Sequence, residues 1–373
     1  MTDVLITSAM AVVVLLTVFG FAALHAWIER KQSALMQDRI GANRAFIRLP
    51  WKIAAPINWL LRPINELGLF HPLADAIKMF TKEDFIPPFG DRTLHRLAPF
   101  LSFMLALVGF AAIPFGDVLH VGGRTITLQV APINVGVLYI AAAASLGVYG
   151  VILGGFASNS NYAFLGGMRA AGQMLAYEIA MGASILGIVM IFQSLDLQEI
   201  VRGQGELLFG WLPMWGVFVQ PVAFFLFLTA GLAETKRIPF DMPEGESEIV
   251  GYFTEYSGMK FGMFFFTDFI ETILIACLAT TFFLGGWQVP YLGAEGFAFP
   301  WGGTLALPHW AVVGLQIGSF CFKVVAFCWL FMTVRWTFPR FRYDQLMDLG
   351  WKGLFPAAIL NLLITAAVLL WIA

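Results

Sequence analysis

Eight apolar stretches, near 4–28, 94–115, 133–157, 172–193, 213–233, 262–285, 314–336 and 353–372, take up most of this 373-residue chain. Each approaches the ~20 residues that a helix needs to cross roughly 30 Å of hydrocarbon. A backbone in that medium must satisfy its own N–H and C=O groups, so runs of this length are expected to be helices. The expected fold class is an all-α polytopic membrane protein with about eight transmembrane helices, and 1–373 reads as a single membrane domain. Composition agrees: 59% of residues are hydrophobic and 12% charged, against roughly 25% charged in soluble domains. The first 30 residues lack a basic segment before the apolar run and a clean small-residue cleavage site, so they read as a retained first helix and not as a removed signal peptide.

Lys and Arg set the orientation, because cytoplasmic segments retain them. Of the 22 basic residues, all but Arg124, Arg202 and Lys323 fall in or beside the loops after the first, third, fifth and seventh helices. Those loops are expected inside, and both termini outside. The first inner loop, 29–93, is long enough for structure of its own. Trp51 to Leu67 carries apolar residues at helical spacing beside Lys52 and Arg62, which predicts an amphipathic helix in the membrane interface, and Pro72 to Glu83 predicts a second short helix. These elements either anchor the chain or border a lateral entrance for a lipid-like molecule.

A net charge of -2 gives no case for nucleic acid, and no G-x-x-x-x-G-K or G-x-G-x-x-G loop offers a nucleotide site. Cys277, Cys321 and Cys328 all lie in apolar runs. Cys321 and Cys328 are about two helical turns apart, too far to hold one metal ion together, so no metal site is expected and the thiols read as small packing residues. Redox and nucleotide chemistry is expected on other polypeptides. No internal repeat suggests the inverted halves of a secondary transporter.

Charges within spans are costly and usually face a polar cavity or a partner. Glu178, Glu234, Asp268, Glu271 and Lys323 are such charges. Asp268 and Glu271 are three apart and share a helix face. Acids facing the bundle interior can hold water and pass protons; the blander role for each is a tie to a hydroxyl, a basic group or the interface. The most unusual segment is the inner loop 234–260, where Glu234, Asp241, Glu244, Glu246, Glu248 and Glu255 crowd a boundary that otherwise collects Lys and Arg. Such crowding makes ionisation interdependent. Pro239 and Pro243 prevent a continuous helix across 234–248, and an extended strand would set Glu244, Glu246 and Glu248 on one side. A solvated acidic loop is the usual meaning of such a run, but Ile238, Phe240, Met242, Ile249 and Val250 are interleaved with it. Arg39, Arg340 and Arg342 are candidates to pair with it; His25 reads equally well as packed or functional.

Specific motifs then accumulate in order along the chain. They are Glu29-Arg-Lys, Gln37-Asp-Arg39-Ile-Gly41, Pro72-Leu-Ala-Asp75-Ala-Ile-Lys78, Lys82-Glu-Asp84, Ala98-Pro99 and Ile113-Pro-Phe-Gly116. Ser145-Leu-Gly-Val-Tyr-Gly150, Leu165-Gly-Gly-Met-Arg169, Tyr177-Glu178, Ala233-Glu234, Arg237-Ile-Pro-Phe-Asp-Met-Pro-Glu-Gly-Glu-Ser-Glu248, Thr254-Glu-Tyr256 and Arg342-Tyr-Asp-Gln345 follow. The series closely resembles the quinone-site membrane subunit of respiratory complex I, the NADH:quinone oxidoreductase.

The resemblance implies an eight-helix subunit of a bacterial cytoplasmic (inner) membrane that forms a quinone chamber with peripheral subunits and couples quinone reduction to proton translocation. Ubiquinone or menaquinone would be substrate, with NADH, FMN and iron–sulfur clusters on partner subunits and no cofactor on this chain. Implied partners are the peripheral quinone-site and iron–sulfur subunits, small and antiporter-like membrane subunits, and membrane lipids. Arg39 and Asp75 match charged positions near the quinone passage, and Arg30 and Arg237 are placed with them. Glu178, Glu234 and Asp268 match buried acids of the proton path, joined here by Glu271. Glu244, Glu246 and Glu248, with Asp241 and Glu255, match the acidic loop.

The chain departs from the pattern in having Gly41-Ala42 where Gly-Pro is usual, in a longer connection from Arg44 to Leu69, and in Ser145 where some members carry glutamate. Two other functions share parts of this pattern: the membrane anchor of a membrane-bound hydrogenase or formate hydrogenlyase, and a self-sufficient ion transporter.

Overall fold

The computed structural model describes residues 2–48, 50–51, 55–245, 248–249 and 251–372, with the side chains of Thr2 and Asp3 excepted. In chain order the helices are α1 (Thr2–Met36), α2 (Ala55–Leu67), α3 (His71–Thr81), α4 (Arg92–Val108, continued by the 3-10 turn Gly109–Ala112), α5 (Gly136–Ala157), α6 (Asn161–Phe192) and α7 (Leu197–Gly203). They continue as α8 (Gly216–Val219), α9 (Pro221–Glu234), α10 (Gly258–Phe283), α11 (His309–Thr337), α12 (Tyr343–Asp348) and, after the π-helical turn Leu349–Leu354, α13 (Phe355–Ile372). Small antiparallel sheets fill three connections: β1 (Val118–Val121) with β2 (Arg124–Thr127), β3 (Leu207–Leu208) with β4 (Leu212–Pro213), and β5 (Leu292–Gly293), β6 (Gly296–Ala298) and β7 (Thr304–Ala306) in that order.

Among the described residues, 7 helical stretches are long and apolar enough to cross a membrane, the last running from Tyr343 to Ile372. The fifth apolar run, 213–233, behaves differently. Its helical part, α9, has 14 residues, about 21 Å at 1.5 Å per residue. Pro221 has no N–H to extend the helix backwards, and residues before it form β4 and the single turn α8. The buried Gln220 side chain fills the break, donating to Thr365 Oγ1 at 2.6 Å and accepting from Asn361 Nδ2 at 2.8 Å. Two other helices outrun their apolar stretches. α1 continues to Met36 because its polar residues find partners, Gln32 donating to Thr333 Oγ1 at 2.8 Å. α6 starts at Asn161, which carries Arg169 beyond the apolar run.

The core centres on α10, whose most apolar window is 72% buried, against 44% at most for the other spans. Beside it, α4 and α5 approach closely through small residues, as membrane helices do in the absence of a hydrophobic drive to associate. A Cβ on Gly150 would meet Ser102 N and Cβ at 2.7 Å.

The two ends of the bundle are fastened by separate polar contacts. At one end Glu29 binds Arg237 and Arg335, Asp241 binds Arg340, and Lys260 binds Asp84. At the other, Asp117 binds Arg202, its backbone N–H donates to Gln316 Oε1 at 3.2 Å, and Tyr291 donates to the Trp211 carbonyl. Helices α2 and α3 lie at the first end and bury no residue of their own.

Candidate functional site

The local chain path after α9 decides the site. Gln173, buried on α6, donates to the carbonyls of Ala233 and Phe240, both at 2.7 Å, and so clamps the two ends of the reverse turn that leaves the helix. Within that turn Lys236 adopts φ 54°. This left-handed conformation is unusual for a residue with a long side chain. It turns the side chain inward, where it has 0% exposure, and sets Nζ 3.1 Å from Asp268 Oδ1 and 3.3 Å from Glu271 Oε2. The Tyr252 ring lies 5.9 Å from the same ammonium. Burial alone lowers the pKa of the Lys236 ammonium, but Asp268 and Glu271 hold it well above the usual lysine range.

Acids extend from this cation in two directions. Toward the surface, Glu244 hydrogen-bonds Asp268, and burial, then repulsion from Asp268 and Asp241, raises its carboxyl well above the ordinary range. Glu244 also lines an open cleft of about 670 Å³ with Lys78, Lys82, Phe253, Tyr256 and Phe261. Toward the interior, Glu271 shares a partly open cavity of about 70 Å³ with Glu234 and Glu178. That is room for about two waters at roughly 30 Å³ each. Its other walls are apolar side chains and glycines of α4, α5, α6 and α10, so polar contents have the carboxylates to turn to. Ser145 donates its hydroxyl to Glu178 Oε1, which places a neutral proton donor at the far end of the line.

The remaining candidates divide. Arg237 sits against Glu29 at 2.8 Å with its guanidinium 4.2 Å from the Phe269 ring centroid, and Glu29 also takes Arg335. Asp241 is held by Arg340 at 2.8 Å; burial raises its pKa to about 6 despite that partner. Arg30 pairs with Asp75, joining α1 to α3. Arg39 is exposed and donates to Gln37 at 2.7 Å, away from the acids, and Arg342 pairs with Asp344.

Glu244 and Glu248 do not share a side. The backbone N–H groups of Glu248 and Ile249 both donate to the Gly245 carbonyl at 2.9 Å, so the segment turns where alternation assumed an extended strand. Glu248 consequently points outward to Arg169 at 2.7 Å. Glu246 lies outside the described residues. Glu255 is part-buried, with its backbone hydrogen-bonded to the His95 ring. His25 is buried edge-on to Phe269. Lys323 serves the other end of the bundle, donating to the carbonyls of Leu284, Gly286 and Gln288 at 2.8, 3.0 and 2.6 Å.

Sequence reasoning missed Lys236 and Glu29 as site members. A signal for Lys236 was present: two acids on one face of α10 need a counter-charge, and Lys236 lies two residues beyond Glu234.

Residues 9–366 match the family described as NADH dehydrogenase. The chain is 44% identical to an NADH-quinone oxidoreductase subunit of Geobacter sulfurreducens, over 99% of this chain and 98% of that one. It is 43% identical to the corresponding NADH-quinone oxidoreductase chain of Cytophaga hutchinsonii, over 94% and 92%, and 43% identical to that of Thermomicrobium roseum, over 98% and 97%.

Proposed function

The chain belongs to the NADH dehydrogenase family, as a membrane subunit of an oxidoreductase complex, and from that premise we propose that it forms one wall of the quinone chamber and couples quinone reduction to proton translocation. The observation that carries the proposal is the unbroken series from the open cleft to the cavity within the bundle: Glu244, Asp268 with Lys236 and Glu271, then Glu234 and Glu178. The cleft mixes aromatic surface with Lys78, Lys82 and Glu244, which suits an amphiphilic quinone with a polar head and an isoprenoid tail.

Two-electron reduction of a quinone requires two protons, and the electrons come from partner subunits. Negative charge arising at the cleft acts first on Glu244, whose ionisation is tied to that of Asp268. A proton taken up or released there alters the field on Lys236 and Glu271, and through the cavity on Glu234 and Glu178. The basic end of the bundle faces the cytoplasm and the peripheral arm, both termini face outward, and the antiporter-like subunits receive the signal from the cavity side.

The test is Glu234→Gln and Glu244→Gln in the assembled enzyme. Loss of quinone-driven proton pumping is expected in both, with Glu244→Gln also altering the KM for quinone. Full turnover and full pumping in both variants would refute the assignment.

A further inference from the structure

The connection between α1 and α3 carries a second cleft that the coupling path does not use. Residues 43–48 run along α2 and are fastened by one side chain: Asn65 Oδ1 accepts from the Ile47 N–H and Asn65 Nδ2 donates to the Ile47 carbonyl, both at 3.0 Å. The cleft between them, about 670 Å³, has Phe46, Ile47 and Trp59 as its apolar lining, Asn43, Asn58 and Asn65 as its amides, and Arg48, Arg62 and the carboxylate of Glu66 as its charges. Asn58, Arg62 and Asn65 fall at i, i+4 and i+7 and form the polar stripe of α2, while Ile57, Leu60, Leu61 and Ile64 form the apolar one.

The location is the membrane boundary. Trp27, inside the first span, donates from Nε1 to the Leu67 carbonyl at 2.9 Å and so ties the end of α2 to α1. At the cleft Phe46 (65% exposed) and Trp59 (75%), and on the apolar stripe of α2 Leu60 (65%), stand free of the chain's own core. The charge of the lining is net positive, two guanidinium groups against the one carboxylate of Glu66. Arg62 pairs with Glu66 at 2.8 Å, whereas Arg44 and Arg48 have no carboxylate within ion-pair distance among the described residues. Excess guanidinium, amide donors and interfacial tryptophan around a groove that borders hydrocarbon match a phosphodiester with acyl chains better than a free anion or an apolar protein segment.

We propose that this cleft binds the headgroup of an anionic phospholipid, with Arg48 and Arg62 on the phosphodiester and the acyl chains along Ile57, Leu60 and Ile64. The site acts on the quinone cleft through the chain: Gly68–Phe70 alone separates α2 from α3, which supplies Lys78 to that cleft and leads directly into Lys82. A bound lipid therefore steadies one wall of it. That last step rests on the proposed quinone reading; lipid binding does not.

The experiment uses the intact complex bearing wild-type chain, Arg48→Gln/Arg62→Gln, or Arg342→Gln as a control on the same face. Each is reconstituted in nanodiscs of phosphatidylcholine with or without phosphatidylglycerol. Tightly bound lipid is counted by native mass spectrometry, and the KM for quinone is measured. Wild type and the control should retain one more phosphatidylglycerol per complex than the double variant. Omitting phosphatidylglycerol should raise the wild-type KM at least threefold and leave the double variant unmoved. Equal retention in all three would overturn the proposal, and so would loss of a partner subunit from the double variant, which would make the cleft a protein-docking surface. Retention that differs with no change in KM would keep the lipid site and refute only its link to the quinone cleft.

Discussion

Replacing Lys236 by Gln tests the charge balance at the centre of the acid series. Among the described residues Lys236 is the cation within ion-pair distance of Asp268 and Glu271, at 3.1 and 3.3 Å, with no exposure of its own. At an effective dielectric of 20, each contact corresponds to about 5 kcal/mol of attraction before desolvation is counted. The measured cost of removing one partner from a buried pair is about 3–5 kcal/mol, because the other charge is left uncompensated. If even about 1.4 kcal/mol of that falls on the coupling step, the rate falls about tenfold. We expect Lys236→Gln, in the assembled enzyme in proteoliposomes, to lose at least tenfold in NADH-driven pumping at pH 7 and to recover partly at lower pH, where protons replace the missing ammonium. The charge-balanced double variant Lys236→Gln/Glu271→Gln should recover to within about threefold of wild type. A single variant with wild-type turnover and pH profile, or a double variant no better than the single, would refute the reasoning.

Asp241 gives a pH prediction. Its pKa rises from 3.8 to about 6 on folding, so its contribution to loop stability is fully present below pH 3.8 and is lost as pH rises through 6. Hydrogen exchange around 237–245, corrected for intrinsic rates, should show about 1.4 kcal/mol more protection at pH 5 than at pH 7, and Asp241→Asn should abolish that difference. Gly150→Ala places a methyl 2.7 Å from Ser102 N and Cβ and is expected to lower stability by about 1–3 kcal/mol, read as a lower thermal midpoint of the complex. Lys323→Met strips the ammonium from three carbonyls beyond α10; faster proteolysis within 284–289, with quinone turnover largely kept, is the expected result.

The spans were legible because a bilayer imposes length and polarity on any segment that crosses it, and Glu178, Glu234, Asp268 and Glu271 stood out as charges inside such segments. What stayed hidden depended on backbone direction. Lys236 enters the bundle because of a left-handed residue and the Gln173 clamp, neither of which has a period to detect. Glu244 and Glu248 part company at a turn that binds the Gly245 carbonyl twice, where alternation assumed a strand. The short α9 was readable in principle, since Pro221 stands inside the apolar run.

Glu29 has a consequence for biogenesis. Its partners Arg237 and Arg335 follow it by 208 and 306 residues. At about 5–20 residues per second, roughly 15–60 s of translation separates Glu29 from the second of them. Until Arg237 is made, the carboxylate near the end of α1 has neither of these partners, and until Arg335 is made it has one. The bundle therefore closes from its late-made helices onto its first one, and a chain released before Arg335 leaves that carboxylate half-paired, marking it as unfinished to membrane quality control.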